Sequence, residues 1–158
     1  MQQEMAAFVQ KEWEQRHLNL PFKSIEEAII LASIIEKETG LASERRLVAS
    51  VFINRLNKKM KLQSDPTVRY GVPNLSNKKR LTYRDLKRQT RYNTYKIPGL
   101  PPTPICNPGK ASIIAALTPA NTNFFYFVAN GTGGHFFSKT LKEHNKYVAR
   151  WRKIKKRP

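Results

Sequence analysis

The sequence predicts a single α+β domain, and three observations carry that prediction. Several stretches repeat apolar residues at helical spacing, most of them opened by a capping residue. One aromatic-rich pair of strands brackets a glycine turn near residues 123–137. No second block of helix and strand follows, so one core with a small antiparallel sheet is expected.

Met1 to Asn19 reads as an amphipathic helix with Met5, Phe8, Val9 and Trp13 on one face, closed by Pro21. Residues 1–22 are therefore assigned as a helical lead-in and 23–158 as the main domain. Ser24 opens the central helix as N-cap, with Glu27 completing a capping box. Gly40 suits the left-handed position just past its end. Ser43 starts a third helix that runs to about Asn57, with Leu47, Val48, Val51, Phe52 and Leu56 as its buried stripe.

The segment Ser64-Asp-Pro-Thr67 is a turn signal, and Val68 to Tyr70 suggests a short extended piece before Gly71. Asn74 to Arg80 reads as a basic loop, and Thr82 with Asp85 opens a short helix from Tyr83 to about Gln89. Ile97 to Gly109 holds five prolines and two glycines and excludes regular structure. Asn107 then caps a helix with Pro108 at its first position and an apolar face from Ser112 to Leu117. Asn123 to Ala129 is the clearest strand, Asn130 to Gly134 its turn, and His135 to Phe137 the return. Thr140 with Glu143 caps a last helix to about Ile154, and six basic residues crowd Arg150 to Arg157.

The chain has 158 residues, with 29 Lys and Arg against 11 Asp and Glu, a net charge of +18. That excess implies polyanionic surroundings: nucleic acid, anionic headgroups or acidic wall polymers. The longest apolar run, Ala28 to Ile35, is interrupted by Ser33 and falls well short of the roughly 20 residues of a membrane span. The opening residues lack the pattern of a secretory leader, so the chain as given reads as a soluble module. The single Cys106 excludes an internal disulfide and reads as a packed residue rather than a nucleophile. No Cys-x-x-Cys, His-x-x-x-His, phosphate loop or Gly-x-Ser-x-Gly elbow is present, so no metal and no cofactor are expected.

One residue breaks the pattern of the central helix. Glu36 falls between Ile25 and Ile29, inside the apolar stripe. A carboxyl kept dry there would have a raised pKa, the state that a general acid needs. On pattern alone two readings stand: chemistry, or a side chain that snorkels out or pairs with an Arg. Glu38, by the same reckoning, lies on the polar face and is not expected to act. The polar and aromatic residues that could line a groove are Asn54, Gln63, Ser64, Asp65, Tyr92, Asn93, Tyr95, His135 and Phe137. Aromatic faces and amides suit sugar rings. Each of these residues could equally serve its own turn or the core.

Leu31-Ala-Ser-Ile-Ile-Glu-Lys-Glu-Thr39, Val51-Phe-Ile-Asn-Arg-Leu56, Leu62-Gln-Ser-Asp-Pro-Thr67, Tyr92-Asn-Thr-Tyr95 with Gly99-Leu-Pro-Pro102, and Tyr126-Phe-Val128 with Gly134-His135 resemble the YceG-like family. The resemblance runs from about Ile25 to Asn145. It implies endolytic cleavage of the MurNAc–GlcNAc bond in peptidoglycan strands, leaving 1,6-anhydro-MurNAc ends, and it carries the family's catalytic Glu onto Glu36. It also implies glycan strands and cell-wall synthesis enzymes as partners. Family members carry a membrane helix and a small LysM-like region ahead of this domain. Neither is in this sequence, and the resemblance puts the parent protein on the extracytoplasmic side of the inner membrane. The basic tail is expected to meet anionic headgroups or wall polymers. Competing readings are a muramidase using Glu36 with Asp65, a non-catalytic glycan-binding module, and a nucleic-acid-binding module. The last is disfavoured because the basic residues are scattered.

Overall fold

A computed structural model gives the structure of the chain and describes residues 2–75, 77–78 and 80–156. The expected features at Met1, Ser76, Lys79, Arg157 and Pro158 lie outside the described residues. Within them the chain is α+β, with seven helices against one two-stranded antiparallel sheet.

The organising element is α2, Ile25–Glu38. Ser24 Oγ accepts the Glu27 N–H, while Glu27 Oε1 accepts the Lys23 N–H, so the cap closes one residue earlier than a full capping box. Leu31, Ala32, Ile34 and Ile35 are all 0% exposed, and Ile30 and Ser33 are buried as well. The helix is therefore enclosed on nearly every side and not on one face. Around it pack α1 (Gln2–Glu14), α3 (Arg45–Asn57), α4 (Asp65–Gly71) and α6 (Lys110–Leu117). Phe52 of α3 and Ile113 and Leu117 of α6 fill the same core, each side chain worth about 1.5–3 kcal/mol in transfer from water. Val9 of α1 joins that core, with Met5, Phe8 and Trp13 packed on its edge.

Five local expectations are corrected. Asp65 to Gly71 is helical, not a turn and an extended piece: Pro66 sits in the first turn, where its missing N–H costs nothing. The first helix stops at Glu14 rather than Asn19. Past α2 the chain leaves through an extended Thr39, so Gly40 does not serve as a left-handed cap. Finally, α6 is capped at Gly109, not Asn107. The short α5 (Tyr83–Leu86) has the complete Thr82–Asp85 capping box and ends earlier than expected.

The irregular stretch from Ile97 to Gly109 is tied down by α2. Ser33 Oγ accepts the Ile105 N–H, and Cys106 Sγ donates to Ser33 O. Burial pushes the Cys106 thiol up, which makes it a poor nucleophile. Strands β1 (Tyr126–Ala129) and β2 (His135–Ser138) pair with Phe127 opposite Phe137 and Ala129 opposite His135. Helix α7 (Leu141–Lys155), capped by Thr140, lies on this hairpin, with Tyr147 stacked on Phe136 and His144 on Tyr126. Among the described residues no helix is long and apolar enough to cross a membrane.

Candidate active site

A cleft of about 640 Å³ opens between the end of α2, the start of α4, the hairpin and α7. Glu38, Arg55, Gln63, Asp65, Tyr95, Tyr126, His135 and His144 line it, over a floor of Val51, Phe52 and Leu62. Two loops that are distant in sequence are laced together to make its rim. The Ser64 N–H donates to Thr94 Oγ1, the Gln63 N–H to Thr94 O, and Thr67 Oγ1 lies 2.8 Å from Thr94 Oγ1. Asn93 holds the second loop in shape: its amide donates to Leu86 O and Arg88 O, and its Oδ1 accepts the Tyr95 N–H. Gln63 reaches the cleft from a left-handed backbone at φ 54°, a conformation a non-glycine residue holds only when its surroundings enforce it.

The acid in this cleft is Glu38. It follows Ile34 by four residues and Leu31 by seven, which places it beside two fully enclosed positions of α2. Burial raises its pKa from 4.5 to about 7. The Ser64 hydroxyl, which donates to Glu38 Oε1 at 2.7 Å, opposes the rise, and the charge of Asp65 adds to it. Asp65 in turn accepts a 2.6 Å hydrogen bond from the Tyr95 hydroxyl. Burial and the neighbouring Asp65 keep that phenol protonated far above its usual range.

Arg55 supplies the fixed positive charge. Its Nε donates to Phe125 O and its Nη1 to Lys61 O and Gln63 Oε1, and its guanidinium lies 5.0 Å over the Tyr126 ring. Burial, and after it the charge of Arg55, lower the pKa of His144.

The expected position of Glu36 does not hold. Its carboxyl is not in a dry stripe and does not line the cleft: Oε1 accepts the Gly109 N–H at 2.6 Å, at the mouth of α6. The reason is the enclosure of α2, which leaves the sector between Ile25 and Ile29 as its open edge. Glu38, expected on the polar face, is the carboxyl turned inward.

Of the groove residues expected from sequence, Gln63, Asp65, Tyr95 and His135 line the cleft, and Ser64 touches it through Glu38. Asn54 does not: its amide donates to Thr122 O and Phe124 O and ties α3 to the approach of β1. Asn93 is fully buried, Tyr92 packs on Tyr70 and bonds Thr103, and Phe137 supports His135 and Phe127 from behind. Glu38, Arg55, Tyr126 and His144 line the cleft without having been expected there. Leu31 and Ile34, seven and four residues ahead of Glu38, are the sequence signal that could have found this carboxyl. Among the described residues no group of three or more His, Cys, Asp or Glu could hold a metal ion.

The chain is 49% identical over 123 residues to an endolytic murein transglycosylase of Bacillus subtilis, covering 78% of this chain and 34% of that protein. It is 32% identical over 130 residues to an endolytic murein transglycosylase of Streptococcus pneumoniae, covering 80% of this chain and 24% of that one. The chain thus spans about a third or less of these relatives' length. The 2.6 Å crystal structure of a YceG-like protein from Listeria monocytogenes superposes with a TM-score of 0.77 at 46% identity, over 89% of this chain and 44% of the other. A family model described as the YceG-like family matches residues 1–150, and on that match the chain belongs to the YceG-like family.

Proposed function

We propose that this chain is the catalytic part of an endolytic murein transglycosylase, with Glu38 as its acid and then its base. One observation carries the assignment: a carboxyl with a pKa of about 7 at the wall of an open polar and aromatic cleft. Near neutral pH Glu38 still holds its proton in part. It donates that proton to the oxygen linking MurNAc C1 to GlcNAc, and the C1–O bond breaks with positive charge developing at C1. The carboxylate so formed takes the proton of the sugar's own C6 hydroxyl, and O6 closes on C1 to give the 1,6-anhydro ring. No water is consumed, and Glu38 ends protonated. Asp65, anchored by Tyr95, supplies negative charge beside the developing cation.

The test is digestion of purified sacculi followed by mass analysis. Anhydro-MurNAc ends are expected from the wild type and from Glu36→Gln, and none from Glu38→Gln. Full turnover by Glu38→Gln would overturn the assignment. A second reading, hydrolysis, draws on Asp65 sharing the cleft with Glu38, since two carboxyls are the usual equipment of a muramidase. It requires reducing MurNAc ends, one water heavier.

We infer further that residues 23–158 form the catalytic unit, with α1 bracing it. The chain would work on the outer side of the inner membrane, where its polymer lies, alongside wall-synthesis enzymes. The basic face of α7 would then run along anionic polymers or headgroups.

A further inference from the structure

His135 lies where two cavities meet. It lines the main cleft, and it also lines a recess of about 320 Å³ under the glycine turn that ends at Trp151. Glu38 borders both. His135 is held through both its backbone and its ring, with Phe137 also against the imidazole. Its Nδ1 is 2.8 Å from Glu44 Oε2, its backbone N–H donates to Glu44 Oε1, and the Phe127 ring meets it edge-on at 5.2 Å.

Glu44 occupies the N-cap position of α3 but makes no capping bond with its side chain. Both oxygens go instead to His135, across 91 residues of sequence. The chain makes room for this: a Cβ on Gly134 would fall 2.7 Å from Glu44 Oε1. Among the described residues Nε2 of His135 has no partner, and it is not sealed from solvent.

We propose that Glu44 is a positioning residue that holds His135 with its proton on Nδ1, so that the bare Nε2 accepts a hydrogen bond from a sugar hydroxyl beside Glu38. The carboxylate can only accept, so a neutral imidazole facing it must donate from Nδ1. In that neutral form Nε2 is the acceptor, and the most abundant donor on a glycan strand is the hydroxyl. The contact is made equally in ground state and transition state, so it strengthens binding without changing the chemical step. The inference rests on the reading of the cleft as a glycan site.

Two measurements test it on the whole chain. The first is 15N NMR of His135 above pH 8. An unprotonated Nε2 is expected in the wild type, and a protonated Nε2 in Glu44→Gln, whose amide can donate to Nδ1. The second is binding of purified glycan strands in a Glu38→Gln background, which needs no turnover. Adding Glu44→Gln or His135→Asn should weaken binding about tenfold, the effect of one lost hydrogen bond. His135→Gln, which can return an acceptor near Nε2, should recover most of it. In the catalytically intact chain the same Glu44→Gln change should raise KM and spare kcat. A protonated Nε2 in the wild type, or equal loss of binding by His135→Asn and His135→Gln, would overturn the proposal. Failure of the intact chain to release anhydro ends would count against the lyase reading alone, because the binding ratios are read without cleavage.

Discussion

Glu38→Gln should abolish cleavage and yet make the protein more stable, but only on the alkaline side. The native pKa, about 7, stands above the ordinary 4.5. Between those values the folded chain keeps a proton that the unfolded chain has released. Stability therefore falls as pH rises through that window, and the whole cost is present above about pH 7. Below about 4.5 both states are protonated and the cost vanishes. The gap between 4.5 and about 7 is worth about 3 kcal/mol at ~1.4 kcal/mol per pH unit. Gln mimics the protonated acid in shape and can still accept from Ser64, so it should recover up to that amount at pH 8.5 and almost none at pH 4. In a domain of 158 residues this corresponds to a Tm gain of roughly 6–12 °C at the higher pH. Calorimetric melts of both proteins at the two pH values measure it. A variant that is equally shifted at pH 4 and pH 8.5, or destabilised at pH 8.5, would refute the claim that Glu38 is ionised at a cost.

Three further outcomes follow from the same geometry. Turnover should decline as pH rises through about 7, where Glu38 loses its proton; Ser64→Ala should move that limb upward and Asp65→Asn downward, each by on the order of one pH unit, as read from kcat/KM profiles. Asn93→Ala should cost about 2–4 kcal/mol in urea unfolding, because it strands Leu86 O, Arg88 O and the Tyr95 N–H beside a fully buried site. Gly134→Ala should push Glu44 off His135 and raise KM as Glu44→Gln does, since its added Cβ would meet Glu44 Oε1 at 2.7 Å.

Much of the scaffold is written in local chemistry. Ser24, Thr82 and Thr140 announce three helix starts, and the aromatic run with its glycine turn announces the hairpin. Other local signals have two uses. Asp65-Pro66 fits a turn and a first helical turn equally, and packing of Thr67 and Val68 into the core decides for helix. The sequence pattern misplaces the cleft carboxyl for a deeper reason. A helical wheel assumes one wet face, and α2 has almost none, so the sector between Ile25 and Ile29, where the wheel puts Glu36, is its edge and not its centre. The lacing of Ser64 to Thr94 and of Glu44 to His135 links residues 30 and 91 apart, which no local pattern can announce.

The last turn of α2 carries two carboxyls with opposite duties: one anchors the start of α6 through Gly109, and the other meets the cleft. Each depends on the angle at which it leaves the helix. One extra residue upstream would swing both by about 100°, breaking the brace and withdrawing the acid together. This segment should thus tolerate many exchanges of side chain and almost no change in length, because its phase, more than its chemistry, is what the molecule has to keep.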